Sequence, residues 1–261
     1  MQIAIDIGNS NVVVGIFNED NWQHLWRVPT KVDHTALIMY ESQLSDHLLE
    51  SGINIDAIEQ VIISSVVPDL NDIFLRLSPL LFRQKAILIR PEIYNHLPII
   101  IDRPRELGTD LLANSLAATQ IYKRDAIVVD FGTALTFTTV KANGDILGVA
   151  IAPGLKTAIN ALYSNTAQLP EVPLELPATP VGVNTTHAIQ SGILIGYIGL
   201  VKHLLSETKR EVGADYITIA TGGLSSILHP LKDQFDQIDT ELTLKGIKLV
   251  GDYMSLQENI I

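Results

Sequence analysis

Gln2-Ile3-Ala4-Ile5-Asp6-Ile7-Gly8-Asn9 and Ala126-Ile127-Val128-Val129-Asp130-Phe131-Gly132-Thr133 are the two stretches on which the fold is read. Each is a short apolar run of strand character that ends in Asp-x-Gly. They superpose without a gap at one offset, since 130 − 6 = 124 and 132 − 8 gives the same value. The likeness continues beyond them. Strands Val12 to Phe17 and Leu135 to Val140 lead to the turns Asn18-Glu19-Asp20-Asn21 and Ala142-Asn143-Gly144-Asp145. A strand–turn–strand unit repeated with the same Asp-x-Gly at the same point indicates duplication. Two similar α/β halves are expected, residues 1–122 and 123–261, with a cleft between them.

Working outward, Trp22 to Val28 reads as a third strand and Thr35 to Glu50 as a helix. That helix carries Leu37, Ile38, Leu44 and Leu48 on its apolar side, and Gly52 is its stop signal. Val61-Ile62-Ile63 and Ala86-Ile87-Leu88-Ile89 read as buried strands around a helix from Asp69 to Leu81. Gly108-Thr109-Asp110 opens another helix that runs to about Tyr122. In the second half a helix from Leu155 to Tyr163 precedes Pro170, Pro173, Pro177 and Pro180. Prolines that dense cannot join regular ladders and predict an extended loop. Thr186 to Ser206 is helical and apolar on more than one side, suited to a core or to a subunit contact. Ile217 to Ala220 is a strand, Thr221-Gly222-Gly223 a turn before a helix, and Leu242 to Tyr253 the last helix.

The composition narrows the chemistry. Among 261 residues, 47% are hydrophobic, which fits a compact globular chain. Lys and Arg number 18 against 29 Asp and Glu, a formal charge of −11 that opposes broad nucleic-acid binding. An anionic substrate then needs local backbone N–H groups, a metal or a few placed cations. The absence of cysteine excludes disulfides, thiolate nucleophiles and Cys-based zinc sites, and fits a reducing compartment. The chain opens directly into a strand, and no stretch approaches ~18 uninterrupted apolar residues, so neither a leader nor a membrane span is expected, and a cytoplasmic protein is. The seven histidines show no metal-ligand spacing.

Three glycine turns can carry chemistry. In Asp6-Ile7-Gly8-Asn9-Ser10-Asn11, Gly8 permits positive φ and close approach to the backbone, while Asn9, Ser10 and Asn11 add side-chain donors. Asp6 can hold Mg²⁺ directly or through water. The same residues also make a good ordinary hairpin turn. Asp130-Phe131-Gly132-Thr133 repeats the arrangement, with Thr133 as a phosphate donor and Asp130 as a cation ligand. Thr221-Gly222-Gly223 is a third turn, flat enough for a ring or a ribose. Asp110, by itself, equally suits a helix N-cap. Neither Gly-x4-Gly-Lys-Ser/Thr nor Gly-x-Gly-x-x-Gly occurs.

The three turns resemble the two phosphate motifs and the adenosine motif of the actin-like ATPase superfamily, which includes the sugar kinases and Hsp70 and has ribonuclease H-like halves. Within it the chain resembles type III pantothenate kinase over nearly its whole length. The matching segments include Ser64-Ser65-Val66-Val67-Pro68, Gly108-Thr109-Asp110, Ile151-Ala152-Pro153-Gly154, residues 165–170, residues 184–192 and residues 242–246. The resemblance implies phosphorylation of pantothenate by ATP with Mg²⁺, the first step toward coenzyme A, in a cytoplasmic homodimer. It implies that Asp110 is the general base and that Asp130 holds a monovalent cation, potassium or ammonium. ATP would be bound by Asp6, Ile7, Gly8, Asn9, Ser10, Asn11, Val12, Val13, Thr133, Gly222 and Gly223. Pantothenate would meet Gly108, Thr109, Leu111 and Thr185. The chain departs from the family pattern at Leu111, where the family reads Arg, and at Ile101, where it reads Tyr; Arg103 and Arg105 are the nearby cations. Other actin-like small-molecule kinases or phosphatases, or a regulatory paralogue, share the same turns.

Overall fold

The computed structural model of the chain describes residues 1–19, 21–223 and 229–258. Asp20 of the Asn18-to-Asn21 turn lies outside them, as do residues 224–228, where the helix after Gly223 is expected. Two compact units emerge, residues 1–120 with 242–261, and residues 121–241.

In the first unit the order is β1 (Gln2–Ile7), β2 (Asn11–Asn18), β3 (Asn21–Pro29), α1 (Ala36–Ser51), β4 (Gln60–Ser65), α2 (Pro68–Leu81), β5 (Ala86–Leu88) and α3 (Thr109–Ala117). A π-helical turn, Ala118–Tyr122, continues α3. The second unit holds β6 (Ala126–Phe131), β7 (Ala134–Val140), β8 (Ile146–Pro153), α4 (Leu155–Ser164), α5 (Thr185–Gln190), α6 (Gly196–Val212), β9 (Ile217–Gly222) and β10 (Gln237–Ile238). Then α7 (Leu242–Glu258) closes the chain.

The sheets run β3-β2-β1-β4-β5 and β8-β7-β6-β9-β10. In both, the first strand pairs antiparallel with the second and parallel with the strand that succeeds the helical excursion. The same topology twice is what duplication predicts. The ungapped match ends at the turn, however. Ile7 pairs with Val12 and Phe131 with Leu135, so the second turn is one residue shorter.

Each sheet buries one face on its own core. Ile3, Ile5, Ile7, Val12, Val14 and Ile16 meet α1 and α2 residues in the first unit. Ile127, Val129, Phe131, Leu135 and Phe137 meet Leu194, Tyr197, Val201 and Leu205 in the second. Alternation along the strands thus sends Asp6 and Asp130 to the opposite faces from these cores. In α1 the buried stripe is Ala36, Tyr40, Leu44 and Leu48, and Gly52 caps it at φ 64°. Ile38, expected on that stripe, is 71% exposed. Two residues past Ala36 is about 200° around the helix, which turns Ile38 away from the core.

The expected division placed residues 242–261 in the second half. Instead α7 packs with the first unit, burying Leu242, Leu244, Ile247 and Val250. Its Gly246 lies so close to α3 that a Cβ would collide with the carbonyl of Ala113. Glycine there lets two helix backbones touch.

Thr185–Val212 forms one 28-residue helical run, long and apolar enough by length and composition to cross a membrane, with 39% of its most apolar window buried. Ile189, Leu194, Tyr197, Val201 and Leu205 account for much of that hydropathy and are buried within the unit.

Candidate active site

In the first unit the turn after β1 is held from two sides. Gly8 N–H donates to Asn11 O at 3.0 Å, and Thr30, just beyond β3, donates its hydroxyl to Gly8 O at 2.5 Å and its N–H to Ser10 O at 3.1 Å. Gly8 is not at positive φ. A Cβ on it would sit 3.2 Å from Asn11 O, so close backbone approach is the reason for glycine. Ile7 and Val12 point into the core, Val13 is buried, and the backbones of all three pair within the sheet. Asn9 and Ser10 are the exposed residues of the turn.

The same unit brings Asp110 to this strand end. Asp6 pairs with Ser64 across the parallel β1–β4 ladder. Ser64 donates its hydroxyl to Thr109 Oγ1 at 2.9 Å, and the Ser65 N–H does so at 3.1 Å. Thr109 Oγ1 donates in turn to Ser65 O at 3.2 Å. Its hydroxyl therefore fastens the start of α3 to the end of β4.

Gly108, not Asp110, occupies the N-cap position of α3, in extended conformation. Asp110 lies in the first turn, half-buried, and its Oδ1 accepts from Leu111 N–H at 2.9 Å. Burial pushes its carboxyl above the usual range, against the opposing pull of the Leu111 and Asp110 N–H groups. A Cβ at residue 108 would lie 2.5 Å from Asp110 Oδ1, so glycine there leaves the carboxylate its place. Leu111 itself is 8% exposed, with its side chain turned into the protein. Tyr94, which no motif in the sequence marks, is buried near enough for the Asp110 charge to act on it. Burial first, then Asp110 and Glu92, push its phenol up to about 12. Arg103 and Arg105 are both exposed, and Arg103 faces Glu106 at 3.3 Å.

In the second unit the turn after β6 is built the same way. Gly132 N–H donates to Ala134 O at 3.1 Å, and a Cβ on Gly132 would lie 3.3 Å from that oxygen. Gly154, just beyond β8, donates its N–H to Thr133 O at 3.0 Å, and Thr157 adds its hydroxyl at 2.7 Å. A Cβ on Gly154 would collide with Gly132 O, which explains the glycine. Thr133 itself is exposed.

Asp130 pairs with Thr136 on β7 and with Thr221 on β9. Paired residues share a face of a sheet, so one carboxylate stands between two hydroxyls, with paired Cβ atoms about 5 Å apart. Thr136 and Thr221 are 7% and 1% exposed, and neither buried Oγ1 has a hydrogen-bond partner. Gly222, at φ 90°, passes so near that a Cβ would lie 2.7 Å from Asp130 Oδ1. Gly223 is exposed in the next turn. Among the described residues no group of three or more His, Cys, Asp or Glu is placed to hold a metal. A carboxylate is a hard oxygen ligand and suits a hard cation.

Thr185 belongs to the second unit. It is exposed at the start of α5, where Asn184 Oδ1 caps the helix by accepting from His187 N–H at 2.9 Å. An open hollow beside it is lined by Pro177, Ala178, Asn184, Thr186, His187 and Gln190.

Comparison with known proteins gives this geometry a family. The family model of type III pantothenate kinase matches residues 2–207. A type III pantothenate kinase of Syntrophus aciditrophicus is 37% identical over 254 residues, covering 96% of this chain and 98% of that one. Among solved structures, a conserved Baf family transcriptional activator from Campylobacter jejuni aligns with a TM-score of 0.57 at 23% identity, over 97% of this chain and 99% of that one. The activator of 2-hydroxyisocaproyl-CoA dehydratase from Clostridium difficile, solved with bound ADPNP, gives 0.56 at 11% identity, over 99% and 97%. These likenesses carry the fold, which is that of the actin-like ATPases and sugar kinases.

Proposed function

The chain belongs to the type III pantothenate kinase family, and from that premise we propose that it transfers the γ-phosphoryl group of ATP to pantothenate with Asp110 as general base. The observation that carries the reading is the placement of Asp110. It is a half-buried carboxylate of raised pKa, tied through Thr109 and Ser64 to the strand end that bears Asp6.

The carboxylate of Asp110 accepts the proton of the acceptor hydroxyl as that oxygen bonds to the γ-phosphorus. The bond from the γ-phosphorus to the β,γ-bridging oxygen breaks, and ADP leaves with that oxygen. A base of raised pKa takes the proton with more driving force than an ordinary carboxylate. The rest of catalysis is alignment and charge neutralisation. In this reading Asn9 and Ser10 of the first unit and Thr133 of the second would each offer donors to phosphate oxygens, and Gly222, at the end of β9, and Gly223 would meet the adenosine. Asp6 would hold Mg²⁺ and Asp130 the monovalent cation; when bound, these ions offset phosphate charge that the acidic chain otherwise repels. Gly108, Thr109 and Leu111 shape the acceptor side, through backbone and hydroxyl anchoring.

The active form in this reading is a cytoplasmic homodimer, in which Thr185 contacts pantothenate. Val181 and Val183, 75% and 83% exposed beside Thr185, support a covered surface there. Sedimentation should give the mass of two chains, and Val183→Lys should shift it toward one; an unmodified chain sedimenting as a monomer overturns this part.

ADP formation with Mg²⁺ and K⁺, with and without pantothenate, tests the whole. Pantothenate-dependent turnover is expected, falling by roughly 10²–10⁴ in Asp110→Asn while ATP still binds. Turnover that ignores pantothenate, or survives in Asp110→Asn, overturns it.

A further inference from the structure

Thr109 stands one residue before Asp110, and every hydrogen-bonding position of its hydroxyl is taken. A threonine hydroxyl donates once and accepts twice. Thr109 Oγ1 donates to Ser65 O at 3.2 Å and accepts from Ser65 N–H at 3.1 Å and from Ser64 Oγ at 2.9 Å. No donor or acceptor of that hydroxyl is left for a small molecule. Its partner Ser64 is fully buried on β4, where the parallel ladder sets it opposite Asp6. Burying a hydroxyl is tolerated when it has a partner, and Thr109 is the one to which Ser64 donates. Gly108, at the N-cap of α3, has no side chain with which to cap the first turn. Two adjacent serines on a strand therefore hold the helix from outside, at the residue next to Asp110.

We propose that Thr109 and Ser64 are positioning residues for Asp110, whose paired hydroxyls set where its carboxylate meets the acceptor and make no contact with pantothenate themselves. This role rests on the reading of Asp110 as general base. A β-branched side chain is stiff at χ1, so fastening Thr109 Oγ1 also fixes the backbone that carries Asp110. The strand to which it is fastened lies inside the sheet, between β1 and β5, and is a firm reference. Through it the base is placed relative to the strand end that bears Asp6. A shift of about 1 Å at a reacting group can lower a rate about 10²-fold, which is what the tether prevents. Loosening it would also admit water to the Asp110 carboxyl, which burial holds above the usual range.

The test is kcat, KM and the pH dependence of kcat/KM for the full chain with ATP, Mg²⁺, K⁺ and pantothenate. Thr109→Val, which keeps the shape and removes the hydroxyl, should lower kcat at least about tenfold. KM for pantothenate and for ATP should stay within about threefold, since neither touches that hydroxyl. Thr109→Ser, which keeps the hydroxyl, should retain kcat within about threefold. In Thr109→Val the acid limb of kcat/KM should move to lower pH, toward the ordinary carboxylate range, as water reaches Asp110. Ser64→Ala, which leaves Thr109 its two bonds to Ser65, should show the same kcat loss and the same pH shift in milder form. Added to Asp110→Asn, Thr109→Val should lower the residual turnover less than about twofold, because its effect passes through the carboxylate. A KM for pantothenate raised about tenfold at unchanged kcat makes the hydroxyl a substrate contact and overturns the proposal. Equal losses in Thr109→Val and Thr109→Ser, or the same loss with and without the Asp110 carboxylate, assign a general structural role and overturn it too. If Asp110→Asn keeps its turnover, or the unmodified chain shows none with pantothenate, the reading of Asp110 itself fails. If Asp110→Asn loses turnover while Thr109→Val and Ser64→Ala match the unmodified chain, only the positioning role fails.

Discussion

Asp110 shows how a single buried carboxylate can work against stability. Burial raises its folded-state pKa above the ordinary value of 3.8. The folded chain therefore holds that proton more tightly than the unfolded chain. The stability this proton contributes is fully present below the unfolded pKa and is lost as pH rises through the folded one. At neutral pH the ionised group is a net cost. Asp110→Asn should accordingly melt higher than the parent at pH 7, and the difference should vanish in acid, which calorimetry across pH would show. With Asp110 as the proposed base, the acid limb of kcat/KM should likewise fall above the ordinary carboxylate range, because that base must be ionised. Gly108→Ala tests the same residue from outside. Its Cβ would lie 2.5 Å from Asp110 Oδ1, so kcat should drop at least about tenfold while far-UV circular dichroism stays unchanged.

Elements set where these residues stand. The start of α3 is placed by Thr109, whose hydroxyl is bonded to both Ser64 and Ser65 at the end of β4. On its other side α3 is placed by α7, through the backbone contact of Gly246 with Ala113. Gly246→Ala should thus push two helices apart and cost ~1–3 kcal/mol, read as a lower urea midpoint with little change in slope. It should also lower kcat, since the displaced helix is the one that carries Asp110. An unchanged midpoint would mean that the helices separate freely. The matching clamps on the two turns, Thr30 after Pro29 and Gly154 after Pro153, belong to this scale as well.

For the whole molecule the consequence is that the chain returns at its end to the unit where it began. Gln2 Nε2 donates to Gln60 Oε1 at 2.8 Å and, across nearly the full sequence, to Lys248 O at 3.3 Å. Leu242, Leu244, Ile247 and Val250 are core residues of the first unit although they come after the second. A chain ending at Glu241 should then lose amide protection throughout β1 and β4 in hydrogen exchange, while β6 and β7 keep theirs. Equal loss in both sheets would show that the units do not unfold separately.

Strand, turn and helix identities were legible in the sequence because they rest on local physics. Apolar periodicity, Asp-x-Gly at a strand end and Gly52 after α1 each act within a few residues of chain. The duplicated Asp6 and Asp130 turns were legible for the same reason, and so was the family. Tertiary structure decided what depends on pairing across long separations. Register alone put Thr136 and Thr221 beside Asp130. Packing alone turned Leu111 inward, brought Tyr94 within reach of Asp110 and assigned α7 to the first unit. Gly8 marks the boundary between the two. Its residue type was readable as a turn signal, but its reason, an approach to Asn11 O at ordinary φ, exists only once the hairpin closes.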